Sequence, residues 1–412
     1  MKVLLYTHHS LFEPALSLAD ALAESAEVHL LLEMPVAMWK AANFEAAAEL
    51  LPTGLVAADP ILTPYFPEET RKMWRKAASF HLVVTGVYGA RHPASLGLMR
   101  RVIDFIRRLD PDVLHIDDVD VSPRLALGLA IVRPPCPVLV GCHDPDPHSG
   151  ERNWRVKRLT RTLLFARADA YLVHHEAGLE ALRRRHPRLH GPAYAVRLGS
   201  YTFLNHGKPA TPLTESVAPV VLLFGRITPY KGIDDLFRAA TLVAREVPGV
   251  RFLVAGEPAS GYEPPQPPQL VNGGRVETMY DYVSNDQTAA LFEQARVVVC
   301  PYTDASQSGV VLTAYGFGCP VVVTDVGGLP EYVTDGVSGL VVPTGDREAL
   351  ALALIRCLQE PQLLATLRAG VATATATDLS WDRASSELIQ IYAAVAASPP
   401  SGRRWRRLGR QG

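Results

Sequence analysis

The sequence predicts an α/β protein with two Rossmann-like domains that face each other across a cleft. Short apolar runs of strand length alternate with stretches of helical periodicity, which is typical of parallel sheets covered by helices on both faces. This alternation starts at the amino terminus and starts again after residue 219, and 412 residues exceed one ordinary core. We therefore expect an N-terminal domain over residues 1–205 and a C-terminal domain over residues 206–380.

The first domain is expected to alternate strands and helices from its first residues. Each predicted strand is a short, largely apolar run, and each predicted helix has apolar residues at helical spacing. The strands are placed at 3–7, 28–33, 113–117, 138–143 and 171–174, and the helices at 14–26, 96–109 and 152–166.

The second domain follows a polar join at residues 205–219 that contains Gly and Pro. Residues 257–270 contain five prolines, so we expect a surface loop there. Residues 381–397 have the pattern of one amphipathic helix, and residues 398–412 are interpreted as a disordered basic tail. The strands of this domain are placed at 220–224, 252–255, 297–300, 321–324 and 340–342.

Composition and charge argue against several classes of protein. The formal net charge of −1 gives no general attraction to nucleic acid or to anionic membranes. The five cysteines form no CxxC pair, which favours a reducing compartment over a disulfide framework. The amino-terminal stretch turns polar too early for a signal peptide, and no apolar run reaches transmembrane length. These features predict a soluble cytoplasmic protein that binds no nucleic acid.

The most informative motif is VVLLFGRITPYKG at residues 220–232. It predicts a buried strand that ends at Gly225, a tight turn that carries Arg226 and Lys231, and then a helix. Ligands of open parallel sheets bind at the carboxyl ends of the strands, and a helix amino terminus attracts anions. We interpret the motif as a clamp for a diphosphate. The alternative is a solvated turn with two incidental charges.

A second anion site is predicted where residues 301–320 run from a strand end into an apolar helix. The turn offers side-chain donors and an unhindered backbone through Ser306, Gln307, Ser308 and Gly309. The alternative is ordinary helix capping by Ser306 or Ser308, which is compatible with phosphate binding.

A third turn, TDVGGLPE at residues 324–331, follows another predicted strand. Its two glycines allow close backbone approach, and Glu331 is able to accept hydrogen bonds from ligand hydroxyls. The alternative is a glycine-rich turn whose Glu331 faces solvent.

The order of these motifs resembles the retaining family 4 glycosyltransferases of the GT-B fold. The resemblance rests on FGRI-x3-KG, PY-x4-QSGVVLTAYGFGCPVV and TDVGGLPEYVTDGVSGLVVPTGD, which cover nearly all of residues 219–350. The first half matches more loosely, through PDVLHID and VLVGCHDPDPHSG. The latter resembles the HDPxPHxG stretch of some exopolysaccharide and lipid-linked sugar transferases. The resemblance implies that the terminal helix returns to the N-terminal domain.

The resemblance also implies which residues bind the donor. Arg226 and Lys231 would hold the diphosphate of a nucleotide-sugar donor of the UDP or GDP type, and no metal or other cofactor is implied. Residues 277–282 and the strand end at Gly256 would border the nucleoside, and backbone amides near Ser308 would complete the cradle. The implied donor-binding residues are Gly225, Arg226, Lys231, Gly256, Tyr282, Gln307, Ser308, Gly309, Val310 and Thr313.

On the side of the sugar and the acceptor, the resemblance assigns three residues of the first domain. His143 would act in catalysis by facing the donor sugar across the cleft, with Asp144 nearby and His148 on the acceptor or sugar side. The first domain would bind a glycan or lipid-linked acceptor, and the second domain would bind the donor.

Two departures from the family pattern limit what the resemblance implies. Relatives often carry a Glu-x7-Glu pair at the phosphate-binding helix, and here Ala305 and Thr313 stand at those places. Gln307 and Thr313 offer neutral hydrogen-bonding groups instead. The stretch LFEPAL, residues 11–16, replaces the Gly-Gly turn of many relatives, so contacts from that loop are not carried over.

Three patterns that resemble metal motifs are interpreted without a metal. The pair Asp118 and Asp120 matches a DxD motif by chance. The stretch 142–148 crowds Cys, His and Asp residues, but prolines break it and no second ligand cluster has matching spacing, so we interpret it as an active-site loop. The stretch 174–176 is interpreted as the end of a strand that continues into a helix.

Two basic segments, 152–161 and 403–410, combine arginines with a tryptophan. Such segments attract a protein to anionic lipid at roughly 1 kcal/mol per charge. Peripheral contact with the inner face of the membrane is therefore a hypothesis, and the alternative is a solvated helix face with a disordered tail.

The sequence therefore predicts a metal-independent retaining glycosyltransferase. Two alternatives stay open. One is another GT-B enzyme of nucleotide sugars such as an epimerase, although the missing carboxylate pair argues against acid–base work. The other is a non-catalytic GT-B subunit that binds a nucleotide or a partner enzyme, which Ala305 and Thr313 would favour.

Overall fold

The computed structural model describes residues 1–36, 52–86, 92–119, 122–145, 154–205 and 218–398. The chain folds into two compact units. One unit contains Met1–Leu198 and the terminal helix Trp381–Ala397, and the other contains Gly199–Ser380. Each unit is an α/β structure with its own, mainly parallel sheet, as the sequence predicted.

The first unit is built on an eight-stranded sheet. In chain order its strands are β1 (Lys2–His8), β2 (Glu27–Pro35), β3 (Gly54–Ala57), β4 (Ser79–Thr85), β5 (Val113–Ile116), β6 (Val138–Gly141), β7 (Ala170–Val173) and β8 (Ala193–Ala195). Their order in the sheet is β3-β4-β2-β1-β5-β6-β7-β8. Neighbouring strands run parallel except at one edge, where β3 is antiparallel to β4. The carboxyl ends of β5, β6 and β7 therefore lie side by side.

Helices and apolar side chains hold this sheet together. The helices are α1 (Phe12–Leu22), α2 (Asp59–Leu62), α3 (Glu68–Arg75), α4 (Pro93–Leu109), α5 (Pro123–Ile131), α6 (Trp154–Phe165) and α7 (Glu176–Arg185). The terminal helix Trp381–Ala397 contacts α1 and β5, and Tyr392 on it is fully buried. The Tyr392 hydroxyl forms a 2.7 Å hydrogen bond with His115 Nδ1. The terminal helix thus returns to the first unit, as the resemblance implied.

Three strands of the first unit were not predicted. The edge strands β3 and β8 are only four and three residues long and partly exposed, and their short apolar stretches were not singled out from the sequence. β4 begins with Ser, Phe and His, which mixes polar and apolar residues. The predicted strands at 113–117, 138–143 and 171–174 run past the observed ends of β5, β6 and β7. Their last residues, Asp117, His143 and His174, lie just beyond the sheet.

The second unit has a six-stranded sheet in which all neighbouring strands run parallel. Its strands are β9 (Val220–Phe224), β10 (Arg251–Ala255), β11 (Arg275–Met279), β12 (Val297–Cys300), β13 (Val321–Thr324) and β14 (Gly339–Val342), in the order β11-β10-β9-β12-β13-β14. Its helices are α8 (Ile233–Glu246), α9 (Asn285–Gln294), α10 (Gly309–Gly316), α11 (Leu329–Tyr332), α12 (Arg347–Gln359) and α13 (Pro361–Ala376). Only β11 was missed, because this edge strand is polar and largely exposed.

Residues 199–205 group with the second unit, whereas the sequence analysis placed them in the first domain. Backbone hydrogen bonds explain the difference. Ser200 N donates to Leu379 O at 2.8 Å, and Tyr201 N donates to Leu312 O at 3.0 Å. Tyr201 also lies close to α10, since a Cβ atom on Gly309 would be 3.3 Å from its ring.

Among the described residues, no single helix has both the length and the apolar composition of a membrane span. One bent pair, Arg347–Gln359 with Pro361–Ala397, meets those two criteria by length and composition only.

Candidate functional site

Two glycines keep the carboxyl ends of β9 and β10 open in the second unit. Gly225 has a φ of 102° and Gly256 a φ of 145°, which residues with side chains rarely adopt. A Cβ atom on Gly256 would lie 2.0 Å from the carbonyl oxygen of Gly225, so this close approach requires glycine. The sheet edge therefore presents bare backbone, and a ligand is able to come close to it.

Lys231 lies beside this open edge. It ends a 3₁₀ turn, Pro229–Lys231, and only 7% of the residue is exposed. Its Nζ donates a 2.6 Å hydrogen bond to the Tyr302 hydroxyl and lies 4.0 Å from the centre of the same ring. A Cβ atom on Gly225 would be 3.8 Å from this Nζ. The ammonium group is thus fixed between a tyrosine ring and the glycine at the end of β9.

The electrostatics of Lys231 indicate an anion site. Burial lowers the pKa of Lys231 to about 8, although the neighbouring Cys300 thiol acts in the opposite direction. In the described part of the chain, no carboxylate forms an ion pair with Lys231. A buried ammonium without a counter-ion is costly, and a bound anion would remove that cost.

Arg226 is the second cation at this edge. It directly follows Gly225 and is exposed. Across the residues that the structure describes, no carboxylate pairs with its guanidinium group. A planar guanidinium with free donors suits two phosphate oxygens at once, whereas the Lys231 ammonium acts as a point charge.

The amino terminus of α10 completes the arrangement. A Cβ atom on Gly225 would lie 3.3 Å from Val310 Cγ2, which places the first turn of α10 beside the end of β9. Ser308 is the N-cap residue and is buried, yet its side chain makes no capping hydrogen bond. Its Oγ lies 3.4 Å from the Tyr302 hydroxyl instead. The capping alternative is therefore wrong for Ser308, and the first N–H groups of α10 have no partner within the helix.

Other predicted donor-binding residues are arranged around this centre. Thr313 Oγ1 donates a 2.9 Å hydrogen bond to Gly309 O inside α10, so its hydroxyl proton is already used within the helix. Gln307 is half-buried next to Ser308. Tyr282 follows β11 and is 40% exposed, while Glu277 on β11 pairs with Arg251 and Arg275 at 2.8 Å and 2.6 Å. The Glu277 carboxylate is thus already engaged within the sheet.

The turn after β13 lies against the loop before α10. A Cβ atom on Gly327 would lie 1.5 Å from the carbonyl oxygen of Ala305, and Gly328 N donates to Ser306 O at 2.9 Å. The third glycine motif therefore supports the second one. Glu331 sits half-buried in the short helix α11.

The first unit carries a second polar group at the carboxyl edge of its sheet. Asp117, His143 and His174 follow the adjacent strands β5, β6 and β7, and all three are buried. His143 Nε2 lies 3.2 Å from His174 Nε2 and 3.7 Å from Asp117 Oδ1. Only His143 of this group was singled out from the sequence. Polar residues at three neighbouring strand ends, in HIDD, GCHD and VHHE, were the signal that pointed to all three.

Charges inside this group are strongly coupled. Burial alone would lower the pKa of His143, but the adjacent Asp117 outweighs burial and raises it to about 8. Burial and the neighbouring His143 hold the pKa of His174 well below its usual value. Burial would raise the pKa of Asp117, but the contact with His143 holds it below its ordinary value. At neutral pH and with no ion bound, the group therefore carries a carboxylate beside an imidazolium.

Two further residues, Asp144 and His148, were predicted for the sugar and acceptor side. Asp144 is half-buried next to His143. His148 lies outside the described residues, as do Asp120, the tail from residue 399 and residues 152–153 of the first basic segment.

Both units match models of glycosyltransferase families. Residues 15–191 match the model described as Glycosyltransferase Family 4, and residues 218–360 match the model described as Glycosyl transferases group 1. The D-inositol 3-phosphate glycosyltransferase of Saccharomonospora viridis is 40% identical over 192 residues, which cover 43% of this chain and 44% of that protein. The protein of the same name from Actinosynnema mirum is 36% identical over 208 residues, 48% and 49% of the two chains. The chain spans less than half of the length of these curated relatives.

Solved structures share the fold of the whole chain. Sucrose-phosphate synthase from Thermosynechococcus elongatus is 18% identical with a TM-score of 0.62, and the match covers 96% of this chain and 99% of that one. HepE from Anabaena, in complex with UDP and glucose, is 16% identical with a TM-score of 0.63, covering 96% and 100%. The catalytic domain of starch synthase IV from Arabidopsis thaliana, bound to ADP and acarbose, is 13% identical with a TM-score of 0.66, covering 96% and 99%. The chain therefore has the GT-B fold.

Proposed function

We propose that this chain, which has the GT-B fold and is related over both units to glycosyltransferases, transfers a sugar from a nucleotide-sugar donor to an acceptor with retention at the anomeric carbon. The observation that carries the proposal is the buried Lys231 ammonium, which lies beside the amino terminus of α10 and has no carboxylate partner among the described residues. This arrangement suits a diphosphate.

The chemistry of the leaving group explains why cations are needed there. When the bond between the sugar and the phosphate breaks, negative charge builds up on the diphosphate. Lys231, Arg226 and the first N–H groups of α10 would face that charge and are in place before the reaction starts. Such preorganised donors lower the barrier, because no groups have to reorient in the transition state. A divalent metal would not be needed at the diphosphate.

Tyr302 is proposed as the residue that positions Lys231. Its hydroxyl accepts the hydrogen bond from Nζ, and its ring lies against the ammonium. Thr324 Oγ1 donates to the Tyr302 carbonyl oxygen at 2.6 Å, which ties this segment to the end of β13. Tyr302 was quoted only as part of the PY-x4-QSG motif and given no role of its own, because its partner Lys231 lies 71 positions earlier in the chain.

For the donor and the acceptor we propose classes only. The donor would be of the UDP or GDP type, and UDP has support from the complexes of HepE with UDP and with UDP-glucose. The acceptor would be a glycan or a lipid-linked sugar. A phosphorylated polyol is a further candidate, since curated relatives are named D-inositol 3-phosphate glycosyltransferases.

A non-catalytic GT-B subunit is the second candidate. Ala305 and Thr313 replace both carboxylates of the relatives, and the Thr313 hydroxyl donates into its own helix. A non-catalytic subunit could also bind a nucleotide at Lys231, so nucleotide binding alone does not separate the two candidates. They differ in whether the bound donor is turned over.

Turnover separates these candidates. Purified protein is incubated with a panel of UDP- and GDP-sugars and with glycan or lipid-linked acceptors, and release of nucleoside diphosphate is measured. We expect one donor to be used, and Arg226→Ala or Lys231→Ala to lower turnover about 100-fold or more. Full activity in either variant would contradict the assignment of Arg226 and Lys231 as a diphosphate clamp. Binding of a nucleotide without turnover of any donor would favour the non-catalytic subunit.

We also propose that helix α6 contributes to peripheral membrane contact. Val156 and Leu159 are 48% and 51% exposed, and Arg155 and Arg158 lie on the same exposed stretch. Apolar side chains flanked by arginines suit the surface of anionic lipid. Sedimentation with vesicles that contain phosphatidylglycerol tests this. Binding should fall in Leu159→Ser and on removal of residues 400–412, and unchanged binding in both would remove membrane contact from the account.

A further inference from the structure

We propose that Asp117, His143 and His174 of the first unit bind one divalent transition-metal ion, for which Zn²⁺ is the best chemical match. Each residue offers one ligand atom, and these atoms all lie within 4.8 Å of one another. Two imidazoles with one carboxylate are a common zinc set, which leaves a fourth position for water. The inference rests on the first unit alone and does not depend on the proposed function.

The distances fit a shared ion. Zinc lies at about 2.0 Å from imidazole nitrogens, so two nitrogens on one tetrahedral ion are about 3.3 Å apart. His143 Nε2 and His174 Nε2 are 3.2 Å apart. The 3.7 Å between His143 Nε2 and Asp117 Oδ1 is too long for a hydrogen bond and close to the span of two ligands on one ion. A proton on His143 Nε2 is within hydrogen-bonding distance of His174 Nε2 but not of Asp117 Oδ1, whereas one ion would bind all three atoms.

Neighbouring groups orient two of the three ligands in the way that a metal requires. His174 Nδ1 lies 3.2 Å from the carbonyl oxygen of Val196, which can only accept a hydrogen bond. The proton of His174 is therefore on Nδ1, and the lone pair of Nε2 points into the cluster. Thr7 Oγ1 donates a 2.8 Å hydrogen bond to Asp117 Oδ2, which leaves Oδ1 for the ion. Metal ligands are usually held by such outer hydrogen bonds.

A cavity adjoins the cluster and would hold the fourth ligand. It has a volume of about 10 Å³, and Asp117, His174, His115 and Arg197 line it together with apolar side chains. This is about the space of one water molecule. His115 Nδ1 bonds to the Tyr392 hydroxyl, and His115 Nε2 is buried without a partner among the described residues. With the ring proton on Nδ1, donated to the Tyr392 hydroxyl, His115 Nε2 would accept a hydrogen bond from a metal-bound water in the cavity.

The ion would join the ends of β5, β6 and β7. The sequence offers candidate ligands among consecutive residues, at 142–148 and 174–176, and no metal was predicted from them. In the fold, one ligand from each of those stretches meets Asp117 at the sheet edge. No local spacing motif marks such a site, because its three ligands come from separate strands, and the polar residues at the three strand ends are its only sign in the sequence.

Metal content and metal titration test the proposal. Full-length protein without a polyhistidine tag should contain about one equivalent of metal by plasma mass spectrometry, and chelator-treated protein should take up about one Zn²⁺ in calorimetry. Co²⁺ in the same site should give the absorption of tetrahedral coordination. We expect His174→Ala and Asp117→Asn to weaken Zn²⁺ binding about 100-fold or more, and Thr7→Val to weaken it about 10-fold to 100-fold. The exposed His190→Ala is the control and should bind like the wild type.

The proposal is overturned if wild-type protein holds no metal and takes up no Zn²⁺ at micromolar concentration. The cluster would then be a hydrogen-bonded chain. Equal uptake by wild type and His174→Ala would also overturn it, since the ion would then be adventitious. Nucleotide binding measured in parallel separates this outcome from a failure of the proposed function. Arg226→Ala should lose nucleotide and keep Zn²⁺, and His174→Ala should lose Zn²⁺ and keep nucleotide.

Discussion

At the scale of single residues, Lys231 determines how the second unit responds to anions and to pH. Its ammonium is buried, is hydrogen-bonded to a neutral tyrosine, and has no carboxylate partner in the described regions. The sequence predicted that Lys231 would bind a diphosphate, because it stands after a strand and before a helix. Its burial and its contact with Tyr302 were not predictable, since the two residues are far apart in the chain and meet only through the order β9-β12.

The pKa of Lys231 gives a prediction about pH. Because burial lowers this pKa to about 8, free protein loses the ammonium above that pH, while a bound diphosphate favours the charged form. Nucleotide affinity should therefore fall as pH rises from about 7 to about 9.5, by up to tenfold per unit above the pKa. Burial raises the pKa of the neighbouring Cys300 and Tyr302, which favours the neutral thiol and phenol. Calorimetry across the range measures the slope, and Lys231→Met should bind weakly with no slope. A flat profile in the wild type would contradict the assignment.

Tyr302→Phe tests the positioning of the ammonium. The substitution keeps the ring and removes the acceptor of the Lys231 hydrogen bond, which should cost about 1–3 kcal/mol of unfolding free energy. Nucleotide affinity should fall about tenfold, because Lys231 is no longer held toward the sheet edge. Tyr315→Phe is a matched control, since its hydroxyl bonds to Ser338 in the same unit. It should lose similar stability in urea denaturation and keep its nucleotide affinity; an equal loss of affinity in both variants would mean that Tyr302 has only a structural role.

At the scale of elements, the end of β9 and the start of α10 form one surface. The sequence predicted both elements and their order, because each has an unbroken apolar pattern next to a glycine or serine turn. The edge strand β11 was missed because its residues are polar and largely exposed. The edge strands β3 and β8 are apolar but short and partly exposed, and they were not singled out from the sequence. Prediction from sequence thus succeeded for most of the buried strands, but it missed the exposed β11 and also β4, whose first residues mix polar and apolar types.

Gly225→Ala tests whether open backbone at this edge matters for binding. The new methyl group would meet Val310 at 3.3 Å and Lys231 Nζ at 3.8 Å, in a backbone conformation with φ of 102°. We expect nucleotide affinity to fall more than about tenfold, because the methyl group fills the space between Lys231 Nζ and Val310 of α10.

Gly249→Ala is the control for backbone strain. Gly249 has a φ of 70°, and a Cβ atom there would have no neighbour within 4 Å. This variant should lose about 1 kcal/mol of stability in urea denaturation and keep its nucleotide affinity. Equal affinities of the two variants would show that Gly225 matters for the fold and not for the ligand.

At the scale of the whole molecule, two units with separate cores divide the chain. The sequence predicted this division from its repeated strand and helix pattern, and it placed the terminal helix correctly as one element. It did not predict that residues 199–205 join the second unit, because the backbone hydrogen bonds that tie Ser200 and Tyr201 to that unit leave no signal in the residue types.

Separate cores lead us to expect separate responses to ligands in scanning calorimetry. A nucleotide at about 100 times its Kd should add about 2.7 kcal/mol to the unfolding free energy of the unit that contains Lys231. Only one of two thermal transitions should therefore shift, and Lys231→Ala should abolish the shift. A shift that persists in Lys231→Ala would place the nucleotide elsewhere.

The most direct test of the central claim is calorimetric titration of UDP, GDP and ADP into the wild type, Arg226→Ala and Lys231→Ala, without added metal. Arg238→Ala, which removes an exposed charge from α8, is the matched control. We expect one nucleotide to bind the wild type and Arg238→Ala alike, and to bind the other two variants about 100-fold more weakly. Unchanged affinity in Lys231→Ala, or no binding of any of the three nucleotides, would contradict the account of a diphosphate site at the end of β9.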